Sequence, residues 1–153
     1  MPSWSDINPK AIAAQLPIVW SFKYDRLTRR FTCRLVGDRI AQFFGNNLRG
    51  ASLAEVQPPE AFDPVNAMLL RVVQEPTVYR GGGRVFQQLD HFTSGERIIL
   101  PLAADGITGD EVFGATEYDS PHIYPGAPGR TVSENENWFP LNSFTTRPAK
   151  TAE

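Results

Sequence analysis

The stretch Ile18-Val19-Trp20-Ser21-Phe22-Lys23-Tyr24, followed after the polar link Asp25-Arg26-Leu27-Thr28 by Arg30-Phe31-Thr32-Cys33-Arg34-Leu35-Val36, decides the fold. Successive side chains of a strand point to opposite faces. Ile18, Trp20, Phe22 and Tyr24 therefore share one face, with Val19, Ser21 and Lys23 on the other. In the second run Phe31, Cys33 and Leu35 oppose Arg30, Thr32 and Arg34. Two alternating runs joined by a short polar link predict an antiparallel hairpin with one buried face.

Working outward, Asn8-Pro9 supplies a capping side chain and a proline for a helix that ends before Pro17. On the other side of the hairpin the pattern is helical. Asp38 to Phe44 carries Ile40, Phe43 and Phe44, then Gly45 and Asn46 as stop signals. Ser52 with Glu55 three residues on forms a capping box for a short turn, and Pro58-Pro59 ends it. Asp63-Pro64 is read as the next helix start. Val65, Met68, Leu69, Val72 and Val73 then recur at helical spacing up to Gln74. Strands return at Thr77 to Arg80, which runs into Gly81-Gly82-Gly83, with Arg84 to Leu89 as its continuation. Arg97 to Leu102 follows, where Pro101 suggests an edge or a bulge. Ala104-Asp105-Gly106 turns the chain into Glu111 to Tyr118.

The expected architecture is α+β: a single antiparallel five-stranded sheet with helices packed on one face. The expected division is an N-terminal helix over 1–15, the body over 16–118, and a Pro-rich, irregular tail over 119–153. In that tail Trp138, Phe139, Leu141 and Phe144 are expected to dock on the body or on a partner, and residues 147–153 to be disordered.

Composition narrows the function. The 153 residues carry a formal net charge of −2 with no basic cluster, which speaks against nucleic-acid binding. No apolar run approaches a membrane span, and the first residues lack the apolar stretch of a signal peptide, so no membrane role and a cytoplasmic location are expected. A lone cysteine, Cys33, excludes an internal disulfide and a four-cysteine metal site.

The hairpin, the middle helices and the three closing strands follow the order of a PAS domain. Phe31 to Gly37 resembles that family's second strand, turning at a glycine into the first short helix. Phe44-Gly45-Asn46-Asn47-Leu48-Arg49-Gly50 resembles its G-x-x-L-x-G link. Leu16-Pro17 before the Trp20 strand, and Arg97-Ile98-Ile99-Leu100-Pro101-Leu102 with Asp105-Gly106 after it, resemble the short stand-alone PAS proteins of alphaproteobacteria. The resemblance spans about residues 16–118. It implies a sensory module that binds a small molecule between sheet and helices, or docks on a partner signalling protein or a second copy of itself as a homodimer.

The specialised PAS chemistries lack their residues. A flavin-adduct cysteine sits on a helix, whereas Cys33 sits on a predicted strand, as a buried structural thiol would. A haem ligand is expected on the long helix, which has no histidine. His91 beside Asp90 reads as a loop residue, and His91, His122 and Cys33 are too scattered for zinc. Gly81-Gly82-Gly83-Arg84 is followed by strand, not by the helix N-terminus that a phosphate cradle needs. No Gly-x-Ser-x-Gly elbow supports a catalytic triad. Expected, therefore, are no cofactor, no metal and no enzyme activity.

What remains is aromatic. The pocket candidates are Trp20, Phe22, Cys33, Leu35, Phe43, Phe44, Met68, Arg71, Tyr79, Leu100 and Thr116, suited to an apolar or aromatic small ligand. Ordinary core packing would also account for these residues. A second reading is a pure interaction module with a solid core and an exposed patch of Val19, Ile99, Phe113 and Ala115. A remote third is a small enzyme of the ketosteroid-isomerase kind, with Asp90 or Glu117 as its acid.

Overall fold

A computed structural model of the chain describes residues 1–44, 48–88, 91–119, 124–125 and 133–144. The Gly45-Asn46 stop, Asp90, His122 and the chain from residue 145 onward lie outside the described residues. The elements are β1 (Val19–Asp25), β2 (Arg30–Val36), α1 (Asp38–Phe44), α2 (Leu53–Val56), α3 (Pro59–Gln74), β3 (Thr77–Gln88), β4 (His91–Leu102), β5 (Glu111–Tyr118), β6 (Tyr124–Pro125) and β7 (Ser133–Pro140). The strands form one antiparallel sheet in the order β2-β1-β5-β4-β3-β7, with β6 paired to β4. The fold is α+β, with the five expected strands at its centre.

The register places one row of inward side chains across six strands: Val36, Trp20, Gly114, Ile99, Tyr79 and Trp138. Gly114 has no side chain, so the Trp20 indole lies across it; a Cβ there would overlap the ring. α3 presses Ala61, Val65, Leu69, Val72 and Val73 onto this face.

Several expectations meet a different local structure. The helix predicted from Asn8-Pro9 is instead a series of turns followed by a 3-10 helix over Ala13–Ile18. Pro17 lies inside that helix, and an α-helical continuation there would need the amide hydrogen that proline lacks. α3 starts at Pro59 rather than at Asp63-Pro64, because Pro58-Pro59 already supplies a proline at the first helical position. The capping box of Ser52 and Glu55 is present.

Pro101 lies on an inner strand. The carbonyl of Leu102 faces β5, where it accepts from the Asp110 amide at 3.0 Å. Pro101, one residue earlier, therefore turns its nitrogen toward β3. The β3–β4 ladder stops at the Tyr79–Ile99 pair, so the missing donor has no ladder acceptor to forfeit. Residues 133–144, read as part of an irregular tail, form β7 and a 3-10 helix, Leu141–Phe144. β7 pairs with β3, so Trp138 docks on its own domain.

The outer face of the sheet is covered too. Trp4, Ile7 and Ile12 from the N-terminal segment pack with Leu35, Leu100 and Ala115 around buried Val19, Leu102 and Phe113. The anticipated patch of Val19, Ile99, Phe113 and Ala115 does not exist as such. Ile99 belongs to the inner core, Val19 and Phe113 are buried, and Ala115 is half-buried under that segment.

Placing a methyl group at Gly114 forces the Trp20 ring out of its seat. Gly114→Ala is expected to lower unfolding free energy by about 1–3 kcal/mol, the usual range for overpacking a closed core. Urea denaturation measures it, and a loss below about 0.5 kcal/mol would show that the ring is not fixed there.

Candidate functional site

Between the inner sheet face and the helices lies a cavity of about 40 Å³. The sheet contributes Trp20 and Phe22 from β1, Cys33 and Val36 from β2, Arg97 from β4, and Thr116 and Tyr118 from β5. The helical side contributes Ile40 and Phe44 from α1, Leu53 and Val56 from α2, and Val65, Met68 and Leu69 from α3. Leu48 and Gln57, from the connections, complete the lining.

The wall is mostly apolar, with Gln57 as a polar group on the helical side and a hydrogen-bonded polar cluster on the sheet. There the Trp20 indole Nε1–H donates to Thr116 Oγ1 at 2.9 Å, and Arg97 Nε–H donates to the same oxygen at 3.2 Å. One hydroxyl thus fixes both the largest aromatic side chain and the cation. The Arg97 guanidinium also stands 5.9 Å from the Trp20 ring centre. Arg97 keeps some contact with solvent, but its head is crowded by the core. Burial pushes its pKa below the usual guanidinium value, while the nearby Tyr118 and Tyr79 phenols push it back up. Burial raises the Tyr118 phenol to about 12 against a smaller lowering by Arg97. The Cys33 thiol is also pushed up by burial, which outweighs the lowering by Arg49, so it is a poor nucleophile.

Of the sequence candidates, Trp20, Phe22, Cys33, Phe44, Met68 and Thr116 meet in this cavity. Leu35, Phe43, Arg71, Tyr79 and Leu100 do not line it. The β1–β2 register pairs Phe22 with Cys33 but Ser21 with Leu35, leaving Arg34 as an extra residue. Such a bulge puts two neighbours on one side of the strand, and Leu35 accordingly packs in the outer cluster. Leu100 is paired with outward Phe113 and lies on that outer face as well, because the inward residue of the run is Ile99.

Phe43 stacks on Tyr118, ring centres 3.9 Å apart. Arg71 is exposed; it pairs with Glu75 at 2.9 Å and lies 4.0 Å over the Trp138 ring. Tyr79 is sealed in the core against Trp138, and its hydroxyl donates to Glu136 at 3.2 Å. The conspicuous omission is Arg97. Its signal was the inward parity of Ile99 two residues on, which a continuous apolar run does not reveal.

Glu117 is on the surface, paired with Arg39 at 2.7 Å, and Asp90 lies outside the described residues. His91 opens β4 rather than a loop. Among the described residues no three His, Cys, Asp or Glu side chains gather as metal ligands, and no helix is long and apolar enough to cross a membrane.

The Tyr118 phenol gives a testable pH dependence. Its folded pKa is raised above the ordinary value of 10, so its contribution is fully present below pH 10 and is lost as pH climbs toward 12. That loss is at most about 3 kcal/mol, and the lowered pKa of Arg97 opposes it. Urea titrations across this window are expected to show falling stability, with a shallower fall in Tyr118→Phe. Equal slopes in the two proteins would contradict the assignment.

This fold agrees with comparison against known families. The family model of the PAS domain matches residues 1–117, and so includes the N-terminal segment that covers the outer sheet face. No curated protein and no solved structure matches the chain. PAS domains are typically sensory or interaction modules rather than enzymes. From its β-strand order, its helix-covered inner cavity and the match over residues 1–117, this chain belongs to the PAS domain family.

Proposed function

We propose that this PAS domain senses a small apolar or aromatic molecule in the cavity between β1, β5 and α3, and passes its occupancy on by contact with another protein. The observation that carries this reading is the asymmetry of the cavity: an aromatic and aliphatic wall with Thr116 and Arg97 at one pole. Pockets of this design draw binding from apolar burial and orientation from a few convergent polar groups. A hydroxyl or carbonyl on the ligand would be recognised at the Arg97–Thr116 pole.

The volume sets a condition. About 40 Å³ has room for a few water molecules, less than an aromatic ring requires. Binding therefore widens the cavity. The sheet wall is held by ladder hydrogen bonds, and Trp20 is tied to Thr116. Of the six half-buried lining residues, Phe44, Val56, Gln57 and Met68 belong to the helical side and only Val36 and Arg97 to the sheet, so the helical side is the one that yields more readily. This supports a mechanism in which ligand entry shifts α1–α3 relative to a fixed sheet. Contact with a partner protein, or pairing with a second copy, then reads that shift. Ile98, 42% exposed on the outer sheet face, is one place for such contact.

Native mass spectrometry of the purified chain, with titrations of indole and phenol followed by the NMR signal of the Trp20 indole N–H, tests the reading. A small-molecule adduct or a saturable response is expected. Met68→Phe, which fills the cavity at a cost of about 1 kcal/mol or less if the site repacks, is expected to abolish it. No adduct and no saturable response in the parent chain would sink the proposal.

A further inference from the structure

A second cavity, of about 670 Å³, opens on the opposite side of the sheet, under the N-terminal segment. We propose that it is a separate binding site for a small protonated amine, received by the Glu111 carboxylate. Glu111 lines this cavity, yet its side chain is only 4% exposed. Its Oε2 accepts from the Trp4 indole N–H at 2.5 Å and from Arg34 at 2.9 Å. Its Oε1 is buried without a hydrogen-bond partner among the described residues. A buried carboxylate oxygen without a donor is costly, so the site favours whatever brings one.

Ser21 lies near Glu111 without lining the cavity. β1 and β5 pair Ser21 with Phe113 and Lys23 with Glu111, which puts Ser21 and Glu111 on the same outer face at adjacent register positions. The Ser21 Oγ is likewise buried and unpartnered. An ammonium group has three N–H donors and no acceptor, so it matches the Glu111 carboxylate.

The other charges around the cavity are mixed. Lys23 and Arg34 face Asp25, Asp110 and Glu111. Asp25 Oδ1 already accepts from the Leu27 and Thr28 amides, and Asp110 Oδ2 accepts from the Ala104 amide at 3.2 Å. Of these three carboxylates only Glu111 has a buried oxygen without a donor. Trp4, Leu102 and Ala103 offer apolar surface for the body of the amine. Oε1 is closed off in this structure, so binding requires a neighbouring side chain to give way; Trp4, which donates to the same carboxylate, is the natural reporter of that change.

The test is an NMR titration of the full chain with benzylamine, using benzyl alcohol as the neutral counterpart. Benzylamine is expected to shift the Trp4 indole N–H and the Lys23 and Ala104 amides saturably, while benzyl alcohol leaves them in place. Glu111→Gln, which keeps an acceptor for Trp4 but removes the charge, is expected to weaken binding about tenfold or more. Ala104→Trp, on the exposed rim, is expected to block the cavity with the melting temperature unchanged. Equal responses to the two probes, or none that saturates, would mean that water alone serves Glu111 and would overturn the proposal. So would undiminished binding in either variant; if Glu111→Gln does not fold, Ala104→Trp decides. Signals of Thr116 and Val65, on the inner cavity, keep this outcome separate from that of the sensory site.

Discussion

The Trp20 indole lies across Gly114 and is held there by the Thr116 hydroxyl. This placement constrains much of the molecule. Only a glycine on β5 lets a ring of that size lie flat on the sheet, and only a hydroxyl two residues further gives its N–H a partner in the core. With the ring laid down, it lines the inner cavity and its polar edge joins the Thr116–Arg97 cluster there. The same hydroxyl gathers the Arg97 guanidinium, a charge that would otherwise face an apolar core with less support.

Much of the layout was legible because it depends on local patterns. The strand alternation in β1, the capping box of Ser52 and Glu55, and the apolar spacing of Val65, Leu69, Val72 and Val73 are short-range signals, and each appears in the fold. The face of a strand is harder to read. In β4, Ile98-Ile99-Leu100 is apolar throughout, so the sequence carries no parity there. The register with Gly114 supplies it, turning Ile99 inward and Leu100 outward. In β2 the parity changes partway, at the bulge around Arg34. Both effects come from pairing with a neighbour, which no single strand encodes. β7 was missed for a related reason. Ser133 to Pro140 has little alternation, and it becomes a strand because β3 offers it a ladder edge and Tyr79 a partner for Trp138.

The two faces of the sheet have distinct roles. The inner face carries a cavity walled on its other side by the helices. The outer face is closed by the N-terminal segment, whose Trp4 rests edge-on against Phe113 and under the Arg34 guanidinium. β2 connects the two: Cys33 lines the inner cavity, while Arg34 and Leu35, its next neighbours, reach the outer side through the bulge.

The central claim is that the core under α3 is a cavity that opens on the helical side. Xenon enters small apolar cavities without needing a specific ligand chemistry, so methyl NMR under xenon pressure tests it directly. A cavity there gives saturable shifts for the methyls of Ile40, Val56, Val65 and Leu69, with those of Val19 and Leu102 on the outer face unmoved. Shifts absent from the first group, or equal in the two, would contradict it.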